Sequence, residues 1–288
     1  MTPNSEFIQF DFLEWGIPMI TALRSKVKRP DRRSERRSQG GAIFRKPCGH
    51  SPSYTKIGSV IYKVAETRAE REAAFRLVYE AYTASGLIPE NAFGMRVTSY
   101  HLSPRTGVLL ATFDHVPTHT VSLIEDAELG LPLEELYRDE VKKMREQGHQ
   151  LAEVSCLAAR TELLDRKSRF DTYVNLMGLM AQYARWNGVD RLVVACHPRH
   201  AHFYVDFLGF EVFGQLKSYD TVNGNPAVGC YHDFATLDRT GYRLRDRVYG
   251  ATHEPRVLSR KPISSEDRAY FTEPAAVYAT SGFLPTAA

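Results

Sequence analysis

The chain has 288 residues, 43% of them hydrophobic, with 37 Lys and Arg against 34 Asp and Glu. That length holds one large domain or two small ones, the composition is that of a globular protein, and no apolar run reaches transmembrane length. The net charge of +3 is local: residues 24–46 carry ten Lys/Arg against two acids, a net +8, so the remainder carries −5 and the folded body is mildly acidic.

Residues 7–23 are apolar but interrupted by Asp11 and Glu14, and no basic stretch precedes them. This pattern argues against a secretory signal and fits a short docking helix or a peripheral membrane contact. Residues 24–46 are rich in Ser, Gly and Pro and have almost no large apolar side chains, so they cannot bury enough surface to order themselves and read as a solvated linker. A nucleic-acid arm is disfavoured, because aromatics are not interleaved with the arginines. The four cysteines, Cys48, Cys156, Cys196 and Cys230, show no C-x-x-C spacing. That suits a reducing cytoplasm and argues against structural zinc.

Regular patterning begins at residue 60. VIYKVA (60–65) reads as a strand, and REAAFRLVYEAYTASG (71–86) as a helix with Phe75, Val78, Tyr79 and Tyr82 on one face and Gly86 as its stop. GVLLATFDHV (107–116) and THTVSLIED (118–126) read as a hairpin turning around Pro117. LEELYRDEVKKMREQG (133–148) is an amphipathic helix closed by Gly148, and LAEVSCLAA (151–159) is a strand. DTYVNLMGLMAQYARWNG (171–188), capped by Asp171 and Gly188, is apolar around much of its circumference, which predicts a helix packed on two sides. RLVVACHP (191–198) is a doubly buried strand. A short helix at 199–208 and a final strand pair, FEVFGQLKSYD and AVGCYHDFATL, complete the pattern. From Asp238 on, the chain reads as a polar tail with one short helix, DRTGYRLRDRVYG. The alternation predicts an α/β (α+β) fold, a mixed central sheet flanked by helices.

His197, His200 and His202 fall within six positions, yet they do not make a metal site. His200 and His202 are two apart on a helix and point in nearly opposite directions. No acid or cysteine nearby completes a ligand shell.

The strand followed by HPRHAHFYVDFLGFEV (197–212) resembles the last strand–helix–strand of the GNAT acyltransferase superfamily. AFRLVYEAY with GLIPEN (74–91), RVTSYHLSPRTGVLLATF (96–113) and residues 126–159 add a closer resemblance. It is to the GNAT-like N-acyl amino acid synthases, which are similar to the acyl-homoserine-lactone synthases of quorum sensing. The helix inserted before LAEVSCLAA is its most specific mark. The resemblance spans about residues 60–236, and it implies an N-terminal extension (1–58), an acyltransferase domain (59–237) and a C-terminal tail (238–288). It also implies a mostly antiparallel GNAT-like sheet, and an N-acyltransferase moving a long-chain acyl group from an acyl carrier protein thioester to the amine of an amino acid. The alternatives are an acyl-CoA-dependent N-acetyltransferase and a non-catalytic acyl-carrier-protein or nucleic-acid-binding protein. No resident cofactor is implied beyond the thioester co-substrate.

An α-amino group, with a pKa of about 8, is mostly protonated at neutral pH and must lose a proton before it attacks. Glu153 matches the glutamate of the related synthases' EVS/ELS-type strand, which implies a base or an amine-positioning residue; an idle strand glutamate is the competing reading. Backbone N–H groups of Cys156, Leu157 and Ala158 are implied as oxyanion donors. Cys156 as a covalent nucleophile is a rival reading. Tyr204 is the candidate acid for the departing thiolate. Its Y-x-x-x-x-G-F spacing is one residue longer than the common pattern, which turns it by about 100°, so a packed core tyrosine stays an equal reading. Arg76 and Arg96, with Tyr100 and His101 in the loop after Arg96, are implied as acceptor-binding; each arginine also reads as a plain surface charge. Residues 160–171 (RTELLDRKSRFD) lack the glycines of a pyrophosphate loop. They offer Arg160, Arg166, Lys167 and Arg169 instead, a patch suited to an acidic carrier protein.

Overall fold

The computed structural model describes residues 52–160 and 162–278. The expectations for residues 7–23, the basic segment 24–46 and Cys48 lie outside them. In chain order the elements are β1 (Thr55–Ile57), β2 (Val60–Val64), α1 (Arg68–Ala84), β3 (Thr106–Phe113), β4 (Val116–Glu125), α2 (Glu134–Glu146), β5 (Leu151–Ala159), α3 (Arg166–Trp186) and β6 (Arg191–Cys196). They continue as α4 (Pro198–Leu208), β7 (Glu211–Val212), β8 (Lys217–Tyr219), β9 (Asn225–Asp233), α5 (Phe234–Thr240), α6 (Arg245–Val248), α7 (Pro255–Leu258) and α8 (Ser265–Ala276).

The strands form one sheet in the order β1-β2-β3-β4-β5-β6-β9-β7, with β8 joined to β9. Every pairing is antiparallel except β5 with β6. The expected mixed, mostly antiparallel sheet between helices is therefore the observed one. Helix α1 starts at a capping box in which Thr67 accepts from Glu70 N and Glu70 accepts from Thr67 N. It lays Ala74 and Phe75 on Val108 and Leu110 of β3. Helix α2 packs Tyr137, Val141 and Met144 beside Leu151 and Val193. Helices α3 and α4 cover the opposite face, where Tyr173, Leu176, Phe203 and Leu208 meet Leu109, Val121 and Val154. Helices α1, α2 and α3 each stop before a glycine at positive φ, Gly86, Gly148 and Gly188.

Three expectations need correction. The β3–β4 hairpin turns at Asp114 and His115, both at positive φ as a two-residue turn demands. Pro117 lies inside β4, tolerated because the register shifts there and the ladder needs no donor from it. Helix α3 begins at Arg166, not Asp171, because the Asp165 side chain accepts from Ser168 N at 3.0 Å. Arg166, Lys167 and Arg169 are thus first-turn helix residues rather than loop residues. Finally, the residues from Asp238 are not a polar tail. They form helices α6, α7 and α8, whose Val248, Val257, Leu258 and Phe271 are buried in the two main cores. This segment is the second neighbour that the all-round apolar surface of α3 requires. Buried Glu125 accepts from Arg260 of the same segment at 2.8 and 2.6 Å and from Arg105 at 3.2 Å. No helix among the described residues is long and apolar enough to cross a membrane.

The tightest test of this docking is Gly178, where a Cβ would stand 2.2 Å from the Val248 carbonyl oxygen. In an open helix Gly→Ala stabilises by about 1 kcal/mol. Here Gly178→Ala should instead cost about 1–3 kcal/mol by overpacking, seen as a lower denaturation midpoint. An unchanged or raised midpoint would mean that α6 does not rest on α3.

Candidate active site

The site begins with a failure of strand pairing. β5 and β6 are in register only at Leu151↔Arg191, Ala152↔Leu192 and Glu153↔Val193. Beyond Glu153 the two strands separate, so from Val154 to Ala159 the β6-facing edge of β5 has no ladder partner. On its other edge β5 bulges: Ser122 faces Ser155 and Thr120 faces Ala158, so two residues of β5 span one of β4. Cys156 takes φ +50° to make this bulge. The bulge resets the side-chain alternation. Cys156 and Ala158 turn to α1, against Leu77 and Val78, while Leu157 packs on the α3 side.

A cavity of about 340 Å³ opens at this split. Its walls are β5 from Val154 to Leu157, the end of β6 from Val194 to His197, Tyr82 of α1, Tyr204 of α4, Tyr219 of β8, and Arg96. Arg160 and Arg169 stand at its margin with His197 and His200. His197 Nδ1 accepts from Arg199 N at 3.1 Å and so closes the start of α4. His202 is exposed on the other side of that helix. Among the described residues no group of three or more His, Cys, Asp and Glu is arranged to hold a metal.

The fold brings together Cys156, Leu157, Tyr204, Arg96, Arg160 and Arg169 of the residues singled out in the sequence. Tyr204 is 5% exposed, and burial holds its phenol protonated well above the ordinary tyrosine range. Arg96 is 4% exposed, with its guanidinium over the rings of Tyr82 and Tyr278. Ala158 is buried behind the bulge rather than on the cavity wall.

Glu153 sits at the last paired position of β5, 3% exposed and just behind the wall. Its Oε2 accepts from Leu133 N, at the start of α2, at 2.7 Å. Burial drives its carboxyl well above the ordinary range. The Leu133 N–H opposes this, and the neighbouring Cys156 and Glu134 add to it. The charge of Glu153 is in turn felt by Tyr219 on the wall and by Tyr100, whose phenol is pushed up to about 12 by burial first and Glu153 second.

Arg76, Tyr100, His101, Arg166 and Lys167 are not on the cavity wall. Arg76 is on the exposed side of α1, donating to Phe93 O at 3.2 Å. His101 is buried under Phe75, with rings 4.8 Å apart. Its Nδ1 accepts from Thr98 N, so Nε2 carries the proton and faces Ser122 Oγ at 3.1 Å. Burial, then Arg96, pushes it down to about 3, so it stays neutral. Lys167 pairs with Asp171 at 2.8 Å and Arg160 with Glu80 at 2.6 Å, while Arg166 is exposed. Tyr219 and Tyr278 carry no local sequence signal, and the sequence marks Tyr82 only as part of a helix face.

Comparison with known families matches residues 73–233 to the model described as N-acyl amino acid synthase FeeM. The structure of FeeM, an N-acyl amino acid synthase from uncultured soil microbes, is 27% identical over 64% of this chain and 95% of that one, with a TM-score of 0.54. The AHL synthase LasI is 14% identical over 68% of this chain and 96% of its own, with a TM-score of 0.47. The CoA-dependent acyl-homoserine lactone synthase BjaI is 16% identical over 73% and 98%, with a TM-score of 0.46. No curated protein matches the chain.

The raised carboxyl of Glu153 has a consequence for stability. The native state holds this proton more tightly than the unfolded chain does. Its contribution is therefore full at acid pH, below the ordinary carboxylate range, and is lost as pH rises through the raised native value. Glu153→Gln keeps an oxygen for Leu133 N and has no proton to lose. Its Tm should match wild type near about pH 4 and exceed it increasingly toward about pH 9. A Tm difference that stays flat across that range would remove the buried, proton-holding carboxyl.

Proposed function

The chain belongs to the N-acyl amino acid synthase FeeM family, and on that premise we propose that it moves a long-chain acyl group from an acyl carrier protein thioester to the amine of an amino acid. The chemistry at the coarser level is GNAT-type acyl transfer from a thioester to an amine. The observation that carries the acyl-transfer reading is the split of β5 from β6 with a cavity in it. A thioester laid in the split presents its carbonyl to unpaired strand N–H groups, and an amine reaches it from the α1 side.

In this reading the amine nitrogen attacks the thioester carbon and gives up a proton. Glu153 receives it, relayed across the wall where Tyr219 is a lining hydroxyl coupled to its charge. Burial makes the ionised carboxylate of Glu153 more basic, while the same shift lowers the fraction that is ionised. Backbone N–H groups of Cys156 and Leu157, with Ala158 behind them, stabilise the oxyanion where the bulge exposes the strand. Collapse of the tetrahedral centre breaks the C–S bond, and the phenol of Tyr204, kept protonated by burial, supplies the proton to the departing sulfur.

The start of α3 supports a carrier protein over CoA. There Asp165 already occupies Ser168 N and also accepts from Ser168 Oγ at 2.8 Å. A pyrophosphate seated at that terminus would meet a carboxylate instead of open N–H groups. Arg160 and Arg169 line the cavity, and Arg166 and Lys167 share the start of α3 with Arg169, a basic cluster that suits an acidic carrier surface.

Incubation with long-chain acyl carrier protein and the twenty amino acids, read by mass spectrometry, should yield an N-acyl amino acid, with little or none from the matching acyl-CoA. Product from acyl-CoA alone would overturn the donor. Absence of product from both would return the protein to the class of non-catalytic binders. Glu153→Gln should lower turnover by about 10²–10⁴-fold, and unchanged turnover would remove it as the base.

A further inference from the structure

Arg96 is a buried cation without an acid. None of the ion pairs among the described residues includes it, and its Nε and Nη1 have no hydrogen-bond partner. A charge taken out of water is normally paired or bonded at each donor. Arg96 has instead two aromatic faces, with its guanidinium carbon 5.2 Å from the Tyr82 ring centroid and 5.1 Å from that of Tyr278, and the Cys156 thiol as a near polar neighbour. Rings hold a guanidinium by its faces and leave its in-plane donors open. The residue lines the cavity at the split. Guanidinium N–H groups without a partner are the donors that a carboxylate takes.

The holding parts come from distant places. Arg96 N donates to Phe75 O of α1 at 3.1 Å, which fixes its backbone. Tyr82 belongs to α1. Tyr278 follows α8, in the C-terminal segment beyond the family match, which ends at residue 233. Its hydroxyl accepts from Asn91 Nδ2 at 2.8 Å, and the same amide reaches Met95 O, next to Arg96, at 3.0 Å. Asn91 also receives Phe93 N on its side-chain oxygen at 2.9 Å, so it is spent on this one arrangement. The packing of Phe271 on Phe75, with rings 5.2 Å apart, seats α8 and delivers Tyr278 to this place.

We propose that Arg96, clamped between Tyr82 and Tyr278, is the receptor for a carboxylate on the acceptor, and that the C-terminal segment completes this receptor through Tyr278. This inference rests on the reading that the cavity takes an amine acceptor, and it restricts that acceptor to amines bearing a carboxylate close to the nitrogen. Tyr278 acts through Arg96 and is a positioning residue. The C-terminal segment, which lies beyond the family match, is then part of the acceptor specificity.

The test compares free amino acids with their carboxamides on wild type, Tyr278→Ala, Tyr278→Phe and Arg96→Gln. For the best acceptor, Tyr278→Ala should raise KM about tenfold with kcat little changed. It should leave KM for the carboxamide unmoved. Tyr278→Phe, which keeps the ring, should stay near wild type, and Arg96→Gln should erase the preference for acid over amide. The same comparison is made without donor by thermal shift: free amino acids raise the Tm of wild type, and carboxamides do not. A Tyr278→Ala effect equal for acid and amide, or a wild-type Tm indifferent to every free amino acid, would overturn the receptor. Acylation of amines without regard to a carboxylate would do so while leaving the acyltransferase reading intact. Absence of any acylation, with the thermal-shift preference present, would fail that reading and keep the receptor.

Discussion

The parallel pair β5–β6 holds together for three residue pairs and then parts, and the rest of the site depends on that separation. A sheet whose neighbours stayed paired would satisfy its backbone groups internally and leave no room between α1 and α4. The bulge at Cys156 enlarges the effect from the other side. It bends β5 away, adds one residue against β4, and sends Cys156 to the α1 face while Leu157 stays on the other. Unpaired backbone in a protein interior is costly unless something bonds to it. A binding cavity placed there turns that cost into a recognition surface.

Two buried charges near the ends of the sheet show how the same chain treats structure and site differently. Glu125, 2% exposed, is met by Arg260 and Arg105, so its charge is neutralised within the protein. Arg96, nearly as buried, is held by two rings and the Cys156 thiol, with no acid. The first arrangement ties the C-terminal segment to β4 and asks for nothing more. The second leaves two guanidinium donors of a cavity-lining residue without a partner. Glu153 lies between these cases: one backbone N–H reaches it and no cation among the described residues pairs with it, so burial dominates its upward shift.

The C-terminal segment links stability to the site. Gly178 lets α6 close on α3, and Val257 and Leu258 fill the same core. Phe271 anchors α8 on α1. Each of these buries apolar surface far from the split, yet together they fix where Tyr278 stands.

Much of the framework is legible in the residues alone. The strand LAEVSCLAA has its observed limits, and α1 and α2 end at the glycines that interrupt their patterns, because local periodicity and the left-handed turn are properties of neighbouring residues. The apolar girth of α3 even implies a second covering layer, though not that residues 245–276 supply it; their short helices are too polar on their outer sides to announce a buried face. The site is less legible. Glu153, Cys156 and Tyr204 stand out because they fall in recognisable strand and helix patterns. The bulge that aims Cys156 depends on pairing with β4, and the meeting of Arg96 with Tyr82 and Tyr278 joins positions that no local pattern relates. Spacing along the chain reports which side chains share a face of one element. Which faces then converge is decided only when the elements pack.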